Sequence, residues 1–376
     1  MRDQLLFSGF KSWLRIKRST PHSIDEKFFF ANFIYGFSYL AATFFRGKNH
    51  EITTDIVIEV PNSKYERFTT TFDGLENKLL VSSQLRDSNR LGLLKLKRMR
   101  LSEFFRGLLL LIRVRSDERK DFSIYYYRFL VAERLVKNKI KFITFDGFSP
   151  LSCALYSLGI LIHYVRPTTT YDNIENSLIN NYRVYVRTDD ERPCFPNCDV
   201  RVIGFDLSYI NYCFLERKKR VLLIDTVVSK DVSLIFHCNN LRRIITELKD
   251  LGIDFKFHPG STTNYRKRVI EILQNHMDIE VVDEVEYNYD YILGFDSTVL
   301  LDAMWSGGYC GNFGSFYTGK LTSAYSALSI SQINNDMDLK GFLDKRSNQS
   351  KIIDEICATY KPIGVKNRFI KNFFEH

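Results

Sequence analysis

The chain has 376 residues, 45% of them hydrophobic, with 31 Phe and 21 Tyr and a formal net charge of +9. A chain so long and so rich in aromatic residues can bury a sizeable core, which excludes intrinsic disorder and favours two medium-sized domains over one. The positive charge favours an anionic partner, which could be nucleic acid, an anionic membrane or an acidic substrate.

The sequence gives no sign of a membrane-crossing or export segment. The longest apolar run, GLLLLI at 107–112, is far shorter than the roughly 20 residues that a spanning helix needs. The N-terminal stretch MRDQLLFSGFKSWLRIKRS has neither the continuous apolar core nor the cleavage site of a secretion signal. Seven scattered Cys, an odd number, fit reduced thiols better than a disulfide framework. We therefore expect a cytoplasmic protein.

Basic residues concentrate in two stretches that are interleaved with Leu and Phe, at 12–18 and 95–115. They are either solvated helix faces or a basic amphipathic surface that lies on an anionic membrane. Nucleic acid is the weaker candidate, because no helix-turn-helix, zinc-finger or RNP-type signature is found.

The N-terminal half alternates predicted strands and helices. After a mostly helical, aromatic stretch at 1–50, the pattern is strand-like at DIVIEV and KLLVSS, and helical at 101–113 and 119–138. The short strand KFITF ends at Asp146-Gly147 and is followed by the helix SPLSCALYSLG. The strands ILIHYV and VRVIGF complete this half.

The alternation restarts after a basic connector at 206–219. The predicted strands are RVLLID, DFKFH, IEVVDEV, YILGF and YCGNF, and helices are predicted at 239–251, 263–276 and 298–306. Strands that alternate with helices of this length predict βαβ units and parallel sheets. The sequence thus predicts an α/β protein with two Rossmann-like domains that face each other across a cleft. The predicted bounds are an N-terminal domain at 1–210, a C-terminal domain at 211–345 and a helical segment at 346–376.

Polar residues follow two predicted strands of the C-terminal domain. Pro259 stops the strand DFKFH, so His258 is expected at the carboxyl edge of the sheet, where ligands of open parallel sheets bind. An imidazole there can donate to a phosphate, although a purely structural His is an equally simple interpretation. We predict that the donor-binding turn also includes Gly260.

Ser297 and Thr298 follow the apolar strand YILGF and begin the helix TVLLDAMWSG. Both are good N-cap residues, and free N–H groups, a positive helix end and two hydroxyls make a phosphate site. An ordinary N-cap without a ligand is the alternative. No Walker loop or GxGxxG is present, which disfavours an ATPase or a dehydrogenase.

Asp146, at the end of KFITF, is the candidate general base of the N-terminal domain. A carboxylate at a strand end followed by Gly147 can project into the cleft and accept a proton from a sugar hydroxyl. A plain strand-to-helix turn is the competing interpretation, since Asp-Gly is common in turns.

Together, FDG at 145–147, HP at 258–259 and ST at 297–298 resemble the motifs of bacterial sialyltransferases of the two-domain GT-B type. Those enzymes carry an acidic-acidic-Gly motif in the N-terminal domain, and HP and Ser/Thr motifs in the C-terminal domain. The resemblance implies that Asp146 is the base, that His258 contacts the donor phosphate, and that Ser297 and Thr298 hold phosphate oxygens. The first acidic position is Phe145 here, which leaves Asp146 as the only acid of the motif.

Capsule and cell-wall transferases of the GT-B type, including Kdo transferases and CDP-glycerol-type glycerophosphotransferases, also carry HP and Ser/Thr and stay open as alternatives. A non-catalytic protein that binds glycans or a membrane surface is the alternative from another class. Glu284 or Glu286, just after a predicted strand, would contact the ribose or base of the donor, unless both are solvated loop charges.

From these motifs we predict an inverting glycosyltransferase that moves sialic acid or a related nonulosonic acid from a CMP-activated donor to a glycan or glycolipid, such as lipooligosaccharide or capsule. We expect no metal and no cofactor, because groups of the protein that donate hydrogen bonds to the phosphate take the place of a metal ion. Cys194 and Cys198 have no second Cys/His pair nearby, so a zinc site is not expected. If the basic clusters bind an anionic membrane, the protein is expected at the inner face of the cytoplasmic membrane.

Overall fold

The structure is a computed structural model. It describes residues 2–19, 29–61, 63–82, 91–166, 180–187, 189–204, 218–225, 234–248, 250–258, 261–274, 279–283, 289–295, 297, 299–300, 303, 309–314, 330–344 and 364–374. The chain divides into two compact units, an N-terminal unit of Met1–Gly204 with Gly364–His376, and a C-terminal unit of Phe205–Ile363. The boundary predicted at 210–211 lies outside the described residues.

The N-terminal unit contains a parallel sheet of seven strands in the order β3-β2-β1-β4-β5-β6-β7. The strands are β1 (Ile56–Val60), β2 (Lys78–Ser82), β3 (Leu91–Gly92), β4 (Lys141–Thr144), β5 (Ile162–Val165), β6 (Arg183–Val186) and β7 (Asp199–Val202). Strands β1 and β5 are buried along their whole length, as apolar strands of parallel sheets covered on both faces usually are.

Helices cover both faces of this sheet. They are α1 (Arg2–Ser19), α2 (Phe29–Arg46), α3 (Leu93–Leu96), α4 (Leu101–Arg113), α5 (Arg119–Lys137), α6 (Pro150–Ser157) and, from the end of the chain, α10 (Val365–Phe374). Val57 of β1 packs into a cluster with Phe10 and Tyr125, whereas its neighbour Ile58 packs into a second cluster with Phe369. Successive side chains of a strand point to opposite faces, so the two clusters are the two sides of the sheet.

Helix α10 belongs to the N-terminal unit, although it follows the C-terminal unit in the sequence. The ring of Phe369 lies 5.1 Å from that of Phe72 and 4.8 Å from that of Tyr185, between ring centroids. Arg368 Nε donates a hydrogen bond of 2.8 Å to the Ile203 carbonyl. The segment predicted to be helical at 346–376 is described only from 364 to 374, and that part completes the second core cluster of the N-terminal unit.

The C-terminal unit contains a parallel sheet of six strands in the order β10-β9-β8-β11-β12-β13. Its strands are β8 (Lys218–Ile224), β9 (Gly252–Lys256), β10 (Ile279–Val281), β11 (Tyr289–Gly294), β12 (Tyr309–Phe313) and β13 (Ser331–Ile333). Its helices with defined bounds are α7 (Leu234–Glu247), α8 (Thr263–Leu273) and α9 (Asp336–Asp344). The unit has its own core, centred on Val221, Leu223 and Phe255 of the middle strands. The α/β class with parallel sheets, predicted for both halves, is confirmed.

Candidate functional site

Strands β1 and β4 meet where the strand order of the N-terminal sheet reverses. Ligands of open parallel sheets bind at the carboxyl ends of the strands at such a point. Asp146 lies two residues beyond the end of β4, and Glu59 is the fourth residue of β1, paired with Thr144 of β4. The predicted base therefore has a second acidic residue beside it, which the sequence analysis did not single out.

A network of hydroxyl groups connects Glu59 to the loop that carries Asp146. Glu59 Oε2 accepts hydrogen bonds from Ser149 Oγ at 2.7 Å and from Thr144 Oγ1 at 3.1 Å. The same Thr144 oxygen accepts from the Asp146 amide at 2.9 Å, and Ser152 Oγ donates to the Asp146 carbonyl at 3.0 Å. These contacts define the backbone of residues 144–149.

The Asp146 carboxylate also has a local structural role. Its Oδ1 accepts a hydrogen bond of 3.1 Å from the Phe148 amide, which closes the turn before α6. Ser149 then caps α6, since its Oγ accepts from the Ser152 amide at 3.1 Å. Asp146 is half-buried, so the turn holds the carboxylate in one orientation without removing it from solvent.

Glu59 is fully buried, and burial together with the negative charge of Asp146 raises the pKa of its carboxyl to about 7. The hydrogen bonds from Ser149 and Thr144 and the positive charge of Arg128 act in the opposite direction. Glu59 Oε1 has no hydrogen-bond partner. A carboxyl group with this pKa exchanges a proton near neutral pH, beside the predicted base.

Packing explains the residue types on both sides of Asp146 in the FDG motif. Phe145 is buried, with its ring 5.2 Å from that of Phe72, so the first acidic position of the resembled motif is a core position here. A Cβ atom at residue 147 would lie 2.8 Å from Cδ1 of Tyr164, so only glycine fits. Gly147 is therefore required by close packing against Tyr164.

In the C-terminal unit, β9, β8 and β11 are adjacent and parallel, so the residues after them share one edge of the sheet. His258 lies two residues beyond β9, and Ser297 three residues beyond β11. The His258 carbonyl accepts from the Ser261 amide at 2.9 Å, which forms a turn. The other predicted donor-binding residues lie outside the described part of the chain: Pro259, Gly260, Glu284 and Thr298.

Ser297 has the hydrogen bonds of a residue that begins a helix. Its Oγ accepts from the Val299 amide at 3.4 Å, and its carbonyl accepts from the Leu300 amide at 3.0 Å. Residues 299, 300 and 303 are helical. The hydroxyl group thus lies at a helix N-terminus on the carboxyl edge of the sheet, in the position expected from the sequence.

Asp225, directly after β8, is a second residue that the sequence analysis did not single out. It is fully buried, and its Oδ1 accepts a hydrogen bond of 2.7 Å from the Tyr265 hydroxyl and lies 3.2 Å from His237 Nε2. Its Oδ2 has no hydrogen-bond partner. Burial and the nearby Asp225 charge raise the pKa of Tyr265 far above its ordinary value.

The contacts of Asp225 with Tyr265 and His237 connect three elements of the C-terminal unit. Asp225 follows β8, His237 lies on α7 and Tyr265 on α8. The His237 ring also packs on Phe295, with the ring centroids 5.2 Å apart. The only sequence signal was the acidic end of the apolar run RVLLID, because the partners of Asp225 come from distant parts of the chain.

No protein-family model matches the sequence, and no curated protein sequence matches it either. Solved structures do resemble the fold. A glycosyltransferase from Rickettsia africae ESF-5 is 12% identical, with a TM-score of 0.54 over 85% of this chain and 98% of its own. A UDP-forming α,α-trehalose-phosphate synthase from Burkholderia vietnamiensis is 12% identical, with a TM-score of 0.54 over 85% and 95%.

A third solved structure is the MnaA–UDP complex from S. aureus, which is 12% identical with a TM-score of 0.52, over 85% of this chain and 96% of its own. At such identities the likeness concerns the fold, and it extends over nearly the full length of each neighbour. The chain therefore has the GT-B fold, with two Rossmann-like units that each contain a parallel sheet.

Proposed function

We propose that the protein is a glycosyltransferase of the bacterial sialyltransferase type, which moves sialic acid or a related nonulosonic acid from a CMP-activated donor to a glycan or glycolipid. The observation that carries the proposal is the placement of Asp146 at the switch point of a GT-B N-terminal sheet. His258 and Ser297, which complete the resembled motif set, follow adjacent parts of the C-terminal sheet edge and support the same proposal.

The proposed reaction is a single displacement with inversion. Asp146 takes the proton of the acceptor hydroxyl, whose oxygen forms a bond to the anomeric carbon of the donor. The bond from that carbon to the phosphate oxygen breaks, and CMP leaves with the electron pair. Asp146 has the geometry of a positioned base, because its turn fixes the carboxylate while leaving it partly exposed.

The charge that develops on the leaving phosphate would be stabilised by the C-terminal unit. His258 would donate to a phosphate oxygen, and Ser297 with Thr298 would add two hydroxyls and the N–H groups of a helix start. Pro259, Gly260 and Glu284 complete the proposed donor-binding set, with Glu284 on the ribose or the base. In the proposed mechanism, the hydrogen-bond donors of the C-terminal unit take the place of a metal ion.

A panel of activated donors tests the proposal directly. CMP-sialic acid, CMP-Kdo, CDP-glycerol and UDP-hexoses are incubated with the protein, and products are identified by mass spectrometry. UDP donors are included because two fold neighbours are described with UDP in their names. We expect slow hydrolysis of CMP-sialic acid without acceptor, which a non-catalytic binding protein would not give. If the protein consumes CMP-Kdo, CDP-glycerol or a UDP-hexose instead, CMP-sialic acid is not its donor, and the protein is a different transferase.

The proposal includes a location on the inner face of the cytoplasmic membrane, where a lipid-linked acceptor would be available. Among the described helices, none is both long and apolar enough to cross a membrane. The proposed association is therefore a peripheral one, through a surface of the protein.

A further inference from the structure

Helices α2 and α4 of the N-terminal unit expose large apolar side chains to solvent. Their exposed fractions run from 42% for Phe37 to 77% for Phe45. We call this surface the α2–α4 face, and its main residues are Ile34, Phe45, Leu101, Phe105, Leu109 and Ile112. Single exposed apolar residues are ordinary on protein surfaces, but a contiguous group marks an interaction site.

The four exposed apolar residues of α4 form one stripe. Leu101, Phe105, Leu109 and Ile112 are spaced by four, four and three residues, which places them on one side of a helix. The buried residues of α4, including Gly107 and Leu110, lie on the opposite side against the unit. Helix α4 is therefore apolar on the side that faces solvent as well as on the side that faces the core.

Aromatic rings join the two helices into a continuous surface. The ring of Phe44 lies 5.0 Å from that of Phe45 and 5.1 Å from that of Phe104, which lies 5.8 Å from Phe105. The exposed rings Phe45 and Phe105 are thus connected through the half-buried pair Phe44 and Phe104. The α2–α4 face is one patch, since its two helices touch along these rings.

The surroundings of the α2–α4 face are strongly basic. The segment 91–115 contains seven basic residues and only one acidic residue, Glu103, which forms an ion pair of 3.0 Å with Lys97. Two more of the seven are paired with acids outside the segment, Arg106 with Asp3 and Arg115 with Asp117, so the segment keeps an excess of positive charge. Helix α2 has no acidic residue and ends at Arg46. A cavity of about 510 Å³ beside the start of α4 is lined by more basic than acidic residues: Lys97, Arg100, Arg134 and Lys137 against Glu103 and Glu133.

The other basic stretch, at 12–18, does not extend this surface. Lys17 Nζ forms an ion pair of 2.6 Å with Asp121, and Arg18 one of 2.9 Å with Glu118. Trp13 and Leu14 are buried in the core of the unit. Of the two stretches that the sequence analysis connected with a membrane, only 95–115 presents exposed apolar residues and basic residues together.

We infer that the α2–α4 face docks onto an anionic phospholipid bilayer, with the apolar stripe in the interface and the flanking Arg and Lys among the headgroups. An apolar surface edged with positive charge is complementary to such a membrane. A second copy of the chain is a poorer occupant, because self-association through this face would bring two basic rims together. The inference deepens the membrane part of the proposed function and is independent of the transfer chemistry.

The test is flotation of the purified full chain with lipid vesicles at low salt. Vesicles of phosphatidylcholine alone are compared with vesicles that also contain phosphatidylglycerol, and we expect binding only to the latter, weakening as salt rises. Arg100→Gln with Arg113→Gln should weaken binding about 25-fold, at about fivefold for each lost charge. Phe105→Ser with Leu109→Ser should weaken it at least about tenfold.

Matched controls come from exposed residues of the C-terminal unit. Ile235→Ser with Met337→Ser removes two exposed apolar side chains, and Lys267→Gln with Arg268→Gln removes two exposed charges. Both controls should float like the unaltered chain. All replaced residues of the α2–α4 face are exposed, so circular dichroism should report an unchanged fold.

Three outcomes would overturn the inference: equal binding to both kinds of vesicle, no binding to either, or unaltered binding by the Phe105/Leu109 variant. Sedimentation velocity identifies the rival occupant. A dimer that dissociates in the Phe105/Leu109 variant would assign the face to a second copy of the chain. Hydrolysis of CMP-sialic acid is measured without lipid, so failure of membrane binding and failure of the proposed chemistry are separate results.

Discussion

Each of the two sheets has a buried acidic residue at the same topological position, but the two residues have different hydrogen-bond partners. Strands β1 and β8 are the first strands of their sheets, and each lies where the strand order reverses. Glu59 is near the carboxyl end of β1, and Asp225 directly follows β8. Each has one carboxylate oxygen in hydrogen bonds and one without a hydrogen-bond partner.

The two acids differ in the groups that donate hydrogen bonds to them. Glu59 receives hydrogen bonds from two hydroxyl groups beside another carboxylate, and its pKa rises to about 7. Asp225 accepts a hydrogen bond from the Tyr265 hydroxyl and lies beside His237 Nε2, and these two side chains come from separate helices. The N-terminal edge thus holds an exchangeable proton next to a candidate base, whereas the C-terminal edge uses its acid to join α7 and α8 to β8.

The largest expected effect is at Asp146, because only the N-terminal edge is proposed to transfer a proton. Asp146→Asn keeps the shape and removes the basicity, so turnover of the identified donor should fall about 10²–10⁴-fold. CMP binding, measured by calorimetry, should change little. The matched control Asp189→Asn replaces an exposed carboxylate of the same unit and should keep full activity. Near-normal turnover with a lowered melting temperature would show that Asp146 is only a turn residue.

The next effect is on stability at the C-terminal edge. Asp225→Ala leaves the buried Tyr265 hydroxyl and His237 without their acceptor, which should lower the free energy of unfolding by about 3 kcal/mol. A double-mutant cycle with Tyr265→Phe, read by urea denaturation, should give a coupling of about 1 kcal/mol or more. Additive effects of the two replacements would contradict the proposed coupling between Asp225 and Tyr265.

Glu59 should give a pH-dependent effect on stability of similar size. Its pKa is raised from 4.5 to about 7, so the unfolded chain releases the proton first as pH rises, and folding loses roughly 3 kcal/mol across that window. Glu59→Gln removes this loss. The variant should therefore gain stability relative to the unaltered chain between about pH 5 and about pH 8.

Denaturation at several pH values measures that change, with Glu51→Gln as the control, because Glu51 is an exposed glutamate of the same unit. Parallel pH profiles for the Glu59 variant and the unaltered chain would show that Glu59 is ionised throughout. They would also remove the proposed contrast between the two edges.

The smallest expected effect concerns the donor side of the C-terminal edge. Ser297→Ala with Thr298→Ala removes two hydroxyl donors to a phosphate, each with a net contribution of about 0.5–1.5 kcal/mol because water replaces a lost donor. CMP affinity should fall at least roughly tenfold while the melting temperature stays close to that of the unaltered chain. Unchanged CMP binding by calorimetry would remove the phosphate site from the proposal.

The alternating strands and helices were predictable because buried parallel strands are short, continuous apolar runs. KFITF and YILGF were found in this way and are β4 and β11. Strands β6 (RVYV) and β13 (SQI) were not predicted, since polar residues interrupt their apolar character. The helix predicted at 239–251 begins five residues earlier, at Leu234, because the polar His and Asn in its first turns hid the apolar period.

The candidate site was predictable only where its residues follow a strand end. Asp146, His258 and Ser297 were found by that rule. Glu59 was missed because it lies inside an apolar strand, where its significance depends on Thr144 and Ser149 from another part of the chain. The partners of Asp225 are likewise set by the packing of helices, which no local pattern reveals.

The return of α10 to the N-terminal unit has a consequence for the order of synthesis. Domains usually fold as they leave the ribosome, the N-terminal one first. Here the second core cluster of the N-terminal unit needs Phe369 and Phe373, which are made only after the whole C-terminal unit. During translation, the rings of Phe72 and Tyr185 therefore lack their α10 partners until the C-terminal unit has been synthesised, so the second core cluster can be completed only after that point.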